Sequence, residues 1–213
     1  MQMRTVTGPT RMMAAVVLAT GVAVSAAGCS GNKPVADKCE TVAAPLTDIP
    51  TRTDQEPKLR IPVPEGWERA TQMDSEQIRF AIRNQKLAAD GFTPNAVVTL
   101  QKAPSDIGKP DQILQAQTDQ LVKKLKLTDV KSTPTKVCGA PALSSSYNTP
   151  EMKLGSKLPT IPGRKATSLG VIYRGGDSYY VATVTVQAVK ADNETYVKDS
   201  EQIIKGFQIL PPK

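Results

Sequence analysis

The sequence predicts an α+β fold, an antiparallel β-sheet packed by α-helices, on three observations. Several segments alternate apolar and polar residues, two others repeat apolar residues at helical spacing, and the order is hairpin, helix, meander of strands, helix. Strands adjacent in sequence pair with one another in such an order, and each helix covers the sheet with its apolar side. With 213 residues, 39% hydrophobic and 22% charged, the chain has room for one such domain behind a leader and a tether.

The leader spans residues 1–28. Arg4 and Arg11 make its start basic, and Met12 to Ala27 is an uncharged run of small and apolar residues. This is the layout of a signal peptide. The run falls short of the ~20 residues a helix needs to cross the hydrocarbon core, so a permanent span is the weaker reading. Ala26-Ala27-Gly28-Cys29 then sets small residues directly before a cysteine and resembles a lipobox, with Ala26 where such motifs usually carry leucine. The expected product is cut before Cys29 and lipidated on its thiolate, since only sulfur can form the thioether to diacylglycerol; the alternative is ordinary cleavage beside a stray thiol. Each buried methylene contributes roughly 0.8 kcal/mol, so two or three acyl chains such as palmitate anchor stably where one is marginal. The expected location is the extracytoplasmic side of the cell membrane, held there by lipid.

Setting Cys29 aside leaves Cys39 and Cys138 as an even pair in an oxidising compartment, and a disulfide is expected; two unrelated buried thiols are the alternative. Net charge is +7, or +5 without the two leader arginines. The basic residues are dispersed, and Lys123-Lys124-Leu125-Lys126 reads as the wet side of a helix. Export and the 4% aromatic content argue against nucleic acid as a partner.

From Cys29 to Pro57 the chain is polar, with Pro34, Pro45 and Pro50, and reads as a lipidated tether; the domain is expected over residues 58–213. It opens at Lys58, where Leu59, Ile61 and Val63 alternate as in a strand that Pro62 confines to an edge or an end. Ile78 to Arg83 and Ala96 to Gln101 form the expected hairpin, with a long loop containing Asp90-Gly91. Pro110 to Leu127 is the first helix, because Pro110 suits the first helical position and Ile113, Leu114, Leu121, Val122 and Leu125 share a stripe. Two further strands, Val130 to Cys138 and Ala142 to Tyr147, are expected to join through Gly139-Ala140-Pro141. Met152 to Lys165 has the glycine and proline content of a loop. Ser168 to Arg174 and Ser178 to Ala188, turning at Gly175-Gly176, are the strongest strand pair and the expected centre of the sheet. The last helix runs from about Asn193 to Lys205, with Asp192 or Asn193 as cap and Tyr196, Val197, Ile203 and Ile204 as its apolar side. Gly206 suits a left-handed terminator, and Phe207 to Leu210 closes as a short strand or tail.

Histidine is absent from the chain, which removes Ser-His-Asp and Cys-His catalysis and histidine-ligated zinc. No phosphate-binding glycine loop or nucleophile elbow occurs. Glu65, Asp74, Glu76 and Asp90 could still meet in space as catalytic carboxylates, but solvated surface charge is the ordinary role of such residues. Ser144-Ser145-Ser146 reads as strand hydroxyls, a Ser-Lys pair being the one way to activate a member of it. No cofactor or metal is implied.

Ile61-Pro62-Val63-Pro64-Glu65-Gly66-Trp67 is similar to the I-x-x-P-x-x-W opening of the mycobacterial LpqN/LpqT lipoprotein family, and the closing helix with Gly206-Phe207 fits the same pattern. The resemblance covers roughly Lys58 to Leu210. It implies a PsbP-like α/β/α sandwich and a role without catalysis, as a binding or accessory module for lipidic envelope precursors or beside an RND-type exporter of mycolates. Trp67 is then a candidate ligand contact, although a core aromatic is the simpler role. The competing expectation is an envelope hydrolase or transferase using the carboxylates or a Ser-Lys pair.

Overall fold

Residues 39–153 and 160–212 are described by the computed structural model. The expected signal peptide, Cys29, residues 30–38 of the expected tether and the middle of the Met152–Lys165 loop lie outside them.

The strongest alternation in the sequence produces the middle of the fold. Strands β10 (Arg164–Gly175) and β11 (Ser178–Ala188) pair antiparallel through the two-residue turn Gly176-Asp177, one position later than expected, with Gly176 at φ +60°. Around them lie β5 (Asn95–Pro104), β4 (Ile78–Arg83) and β3 (Glu68–Arg69) on one side, and β7 (Ala140–Thr149) and β6 (Thr128–Val137) on the other. The antiparallel order among the described residues is β3-β4-β5-β11-β10-β7-β6, so β11 is the central strand. A second sheet, of order β1-β2-β12, holds β1 (Leu46–Ile49), β2 (Lys58–Pro62) and β12 (Gln208–Leu210); Met152–Lys153 and Thr160–Ile161 pair as a small ribbon, β8 and β9.

Because side chains alternate across a strand, β11 sends Tyr180, Ala182, Val184 and Val186 to one side of the sheet and Tyr179 and Val181 to the other. The first set forms the main core with Ile49, Leu59, Ile61 and Ile209 of the small sheet and with Tyr196 and Ile203 of helix α2 (Glu194–Lys205). The second set packs with Leu143 and Ile172 against Leu114 of helix α1 (Pro110–Leu125). One helix on each side of the sheet is the expected sandwich. Asn193 caps α2 by accepting the Tyr196 N–H at 3.1 Å, as its position before the first turn suggests.

Five details differ from expectation. β1 lies inside the segment read as tether, and its Ile49 is buried, so the folded unit begins before residue 58. β2 is the middle strand of its sheet rather than an edge, with Pro62 at its end where a missing N–H is tolerated. The β6–β7 connection is Cys138-Gly139, both at positive φ (+50° and +84°), the two-residue hairpin turn whose twist matches the strands; Ala140 and Pro141 already belong to β7. Leu125 and Val197 are exposed, and Leu127, beyond the left-handed Lys126 that ends α1, is buried instead. Gly206 sits at φ −88°, not in the left-handed region. It is needed for space: a Cβ there would collide with Val42 and come within 2.6 Å of Pro62 Cγ.

Candidate functional site

The helix and the sheet leave a groove between them. Gly170 on β10 lets α1 come close, since a Cβ at that position would stand 3.0 Å from Leu114 Cδ2. Farther out, between α1 and the β6–β7 hairpin, lies a cavity of about 630 Å³. Leu114, Ala116, Pro134, Pro141, Ala142 and Leu143 give it a mostly apolar lining, with Asp111, Asp119 and Lys136 as charged members. Its size and mixed lining are those of a ligand pocket, ~300–1,000 Å³ with few polar groups. Two features of the sequence shape it: the compact Pro134 and Pro141 on the hairpin strands, and alanine at position 116, where a larger residue on the helix would fill the space.

A second cavity, about 560 Å³, opens between the small sheet and β4 over Val63, Ile78, Phe80 and Ile82. Three arginines border it, and protein acceptors already engage each of them. Arg79 donates to Glu56 through both terminal nitrogens, at 3.0 and 2.5 Å, with side chains only 6% and 11% exposed. Burial raises the Glu56 pKa, but hydrogen bonds from Arg79 and the Arg52 backbone N–H, with both positive charges, outweigh it and hold the carboxyl below the ordinary carboxylate range. Arg69 grips Asp74 at 2.7 and 2.8 Å while its guanidinium lies 4.1 Å from the Phe80 ring centre. Arg52 donates to the carbonyls of Ser75 and Glu76, both at 2.7 Å, pinning that loop. These cations hold loops in place. Sequence reasoning missed Arg52, Glu56, Arg69 and Arg79: Arg79 and Glu56 stand 23 positions apart and leave no local pattern, and Arg69 with Asp74, five apart, reads as ordinary surface charge.

Trp67 is 6% exposed and donates its indole N–H to buried Asp199 on α2 at 2.8 Å. The ring fills the main core and ties the β2–β3 turn to the helix, which satisfies its one polar group internally. Glu65, Asp74, Glu76 and Asp90 are all exposed; Asp74 is paired with Arg69, and Asp90 stands 3.5 Å from Lys190. Ser145 is buried and shares a 2.8 Å hydrogen bond with Ser132, one rung of the β6–β7 ladder. Among the described residues no cluster of three or more His, Cys, Asp or Glu side chains could hold a metal. No described helix is long and apolar enough to cross a membrane.

Cys39 and Cys138 are joined by a disulfide with Cα atoms 4.1 Å apart, closing a separation of 99 residues. The bridge ties the chain entering the domain to the tip of the β6–β7 hairpin. Lys136 and Pro141, paired across that hairpin, also line the groove beside α1, so the tether is fastened at one end of the groove.

Fold and site define an α+β sandwich, one helix on each side of an antiparallel sheet, with an apolar groove beside a disulfide-fastened entry. The chain belongs to the family of the probable lipoprotein LpqN, whose model matches residues 43–210. That span starts ahead of β1, in keeping with a folded unit that begins before residue 58. The crystal structure of LpqN of Mycobacterium tuberculosis, described as involved in cell envelope biogenesis, superposes with a TM-score of 0.57 at 19% identity, over 85% of this chain and 99% of that one. The Ran-binding protein Mog1p of Saccharomyces cerevisiae gives a TM-score of 0.47 at 12% identity, over 79% and 97%. No curated protein matches the chain by sequence.

Proposed function

We propose that the chain is an envelope lipoprotein, acylated on Cys29 and held on the extracytoplasmic side of the membrane, that acts without catalysis as a binding or accessory module for lipidic envelope precursors or for their exporter. The observation that carries this reading is the groove between α1 and the β6–β7 hairpin, about 630 Å³ and lined mainly by apolar side chains. A pocket of that kind gains affinity by removing apolar surface from water, roughly 25 cal/mol per Å², which suits a hydrocarbon chain better than a polar metabolite. The dispersal of Glu65, Asp74, Glu76 and Asp90 over the surface and the burial of Ser145 in a hydroxyl pair count against a hydrolase or transferase built on those carboxylates or on a Ser-Lys pair at Ser145. Family membership supports the lipid anchor, and the envelope role described for the Mycobacterium tuberculosis relative supports the compartment.

The test is solvent extraction and mass spectrometry of lipid carried by the purified full chain, compared with Ala116→Trp. Ala116 is exposed and lines the groove, so the indole fills it without disturbing the core. The expected result is bound lipid in the native chain and its loss in the variant. A native chain that carries none, or equal amounts in both, refutes the reading. Labelled palmitate incorporated by the native chain and not by Cys29→Ala checks the anchor.

A further inference from the structure

Several turns and loops meet at one end of the large sheet. Gly175 pairs with Ser178 at the β10–β11 turn, Ser178 pairs with Pro104 at the end of β5, and the Ser105 N–H donates to the Asp177 carbonyl at 3.2 Å. Val171 opposite Ala142 puts the Cys138-Gly139 turn at that same end. The loop after β5 carries Ile107, at 54% the most exposed large hydrophobic side chain among the described residues, and leads directly into the first turn of α1. The groove beside α1 starts here, at Asp111, Lys136 and Pro141, and runs toward Asp119, about 12 Å along the helix.

From these placements we infer that this end of the sandwich rests on the outer surface of the bilayer, with Ile107 in the interfacial layer and the mouth of the groove facing the lipid. The inference rests on the acylation of Cys29 proposed above. Cys39 is clasped to Cys138 at this end, and the ten residue-to-residue steps from Cys29 to Cys39 reach at most about 35 Å fully extended. β10 alone, with 12 residues, is about 40 Å long, so the tether cannot run the length of the sheet and still place the opposite end against the membrane. An exposed isoleucine beside an anchor is stabilised by entering the interface, whereas in water it gains nothing. Charge contributes little. Lys102, Lys109, Lys136 and Arg174 stand at this end, but Asp106, Asp111 and Asp177 stand with them. The contact is therefore hydrophobic and tethered, and it persists in high salt, unlike a polybasic patch.

The cysteine chemistry supplies the test, because a thioether and a disulfide leave an introduced cysteine as the one free thiol. The full acylated chain carrying Ile107→Cys, or Lys86→Cys in the β4–β5 loop at the other end of the sheet, is labelled with bimane. It is bound to phosphatidylcholine–phosphatidylglycerol vesicles with a doxyl-labelled lipid as quencher, and flotation reports whether the chain is on the vesicle at all. Severalfold stronger quenching at position 107 than at 86, unchanged in high salt, is the expected result. Equal quenching at both positions in a floating chain means that the domain lies flat or roams, and overturns the orientation. Quenching at 107 that disappears with salt overturns its hydrophobic basis. A chain that does not float removes the anchor, and with it the inference.

Discussion

Opening the Cys39–Cys138 bridge is expected to remove a large part of the domain's stability. The cross-link spans 99 residues. In the chain-entropy treatment, a loop of that length removes about 16 cal/mol/K from the unfolded ensemble, or about 4.7 kcal/mol at 25 °C. A whole domain of this kind has only ~5–15 kcal/mol to lose. The variant that opens the bridge and keeps the turn is Cys39→Ser with Cys138→Asn, because position 138 is at φ +50° before a glycine at +84°, and Asn-Gly is the preferred occupant of that turn. Hairpin geometry is thereby kept while the covalent tie is lost. Equilibrium urea unfolding, followed through Trp67 as the single tryptophan, reads the difference. A fall of about 3–5 kcal/mol at unchanged denaturant slope is the expected result. A fall below about 1 kcal/mol would refute the reasoning, since it would mean that the bridge does not restrict the unfolded chain.

Glu56→Gln leaves the Arg79 guanidinium, 6% exposed, without its counter-charge, and a loss of about 3–5 kcal/mol is expected in the same unfolding assay. The Glu56 carboxyl is held below its ordinary range in the fold, so its stabilisation is fully present above the unfolded carboxylate pKa and is lost as pH falls through the folded value. Stability of the native chain should therefore drop more steeply in acid than that of Glu56→Gln; parallel pH profiles would count against the pair. Gly206→Ala is expected to cost about 1–3 kcal/mol through overpacking against Val42 and Pro62. Gly206→Asn, which rescues a left-handed terminator, should be no better here, and a stable Asn variant would restore the terminator reading.

What could be read from the sequence was local. The β10–β11 pair announces itself because both strands alternate over a long stretch and a glycine marks the turn, and α1 because Pro110 fixes its start. β1 escaped because four residues between Pro45 and Pro50 are too few to show a period. Gly206 was read as a terminator on position alone, since a sequence does not show that residues 42 and 62 crowd it. The same division holds for the site. Counting cysteines gives the 39–138 pair without knowledge of the fold, whereas the groove exists only once Pro134, Pro141 and Ala116 meet across separate elements. Trp67 drew notice for its motif, and the reason it must be tryptophan, an indole that both fills the core and reaches Asp199, needs the packing of α2.

On the anchoring proposed above, the outer strand β6 has a bearing on how many copies can share a membrane. Anchored proteins meet one another in two dimensions, where an uncovered row of backbone donors and acceptors invites strand-to-strand growth. β6 ends the large sheet, and along its exposed length it carries Lys131, Lys136 and Pro134, a residue that has no N–H to offer. Charge and a missing donor are the usual means by which a sheet refuses a foreign strand. Replacing that proline and the two lysines with threonine or valine is expected to turn this border into a seam along which crowded neighbours polymerise.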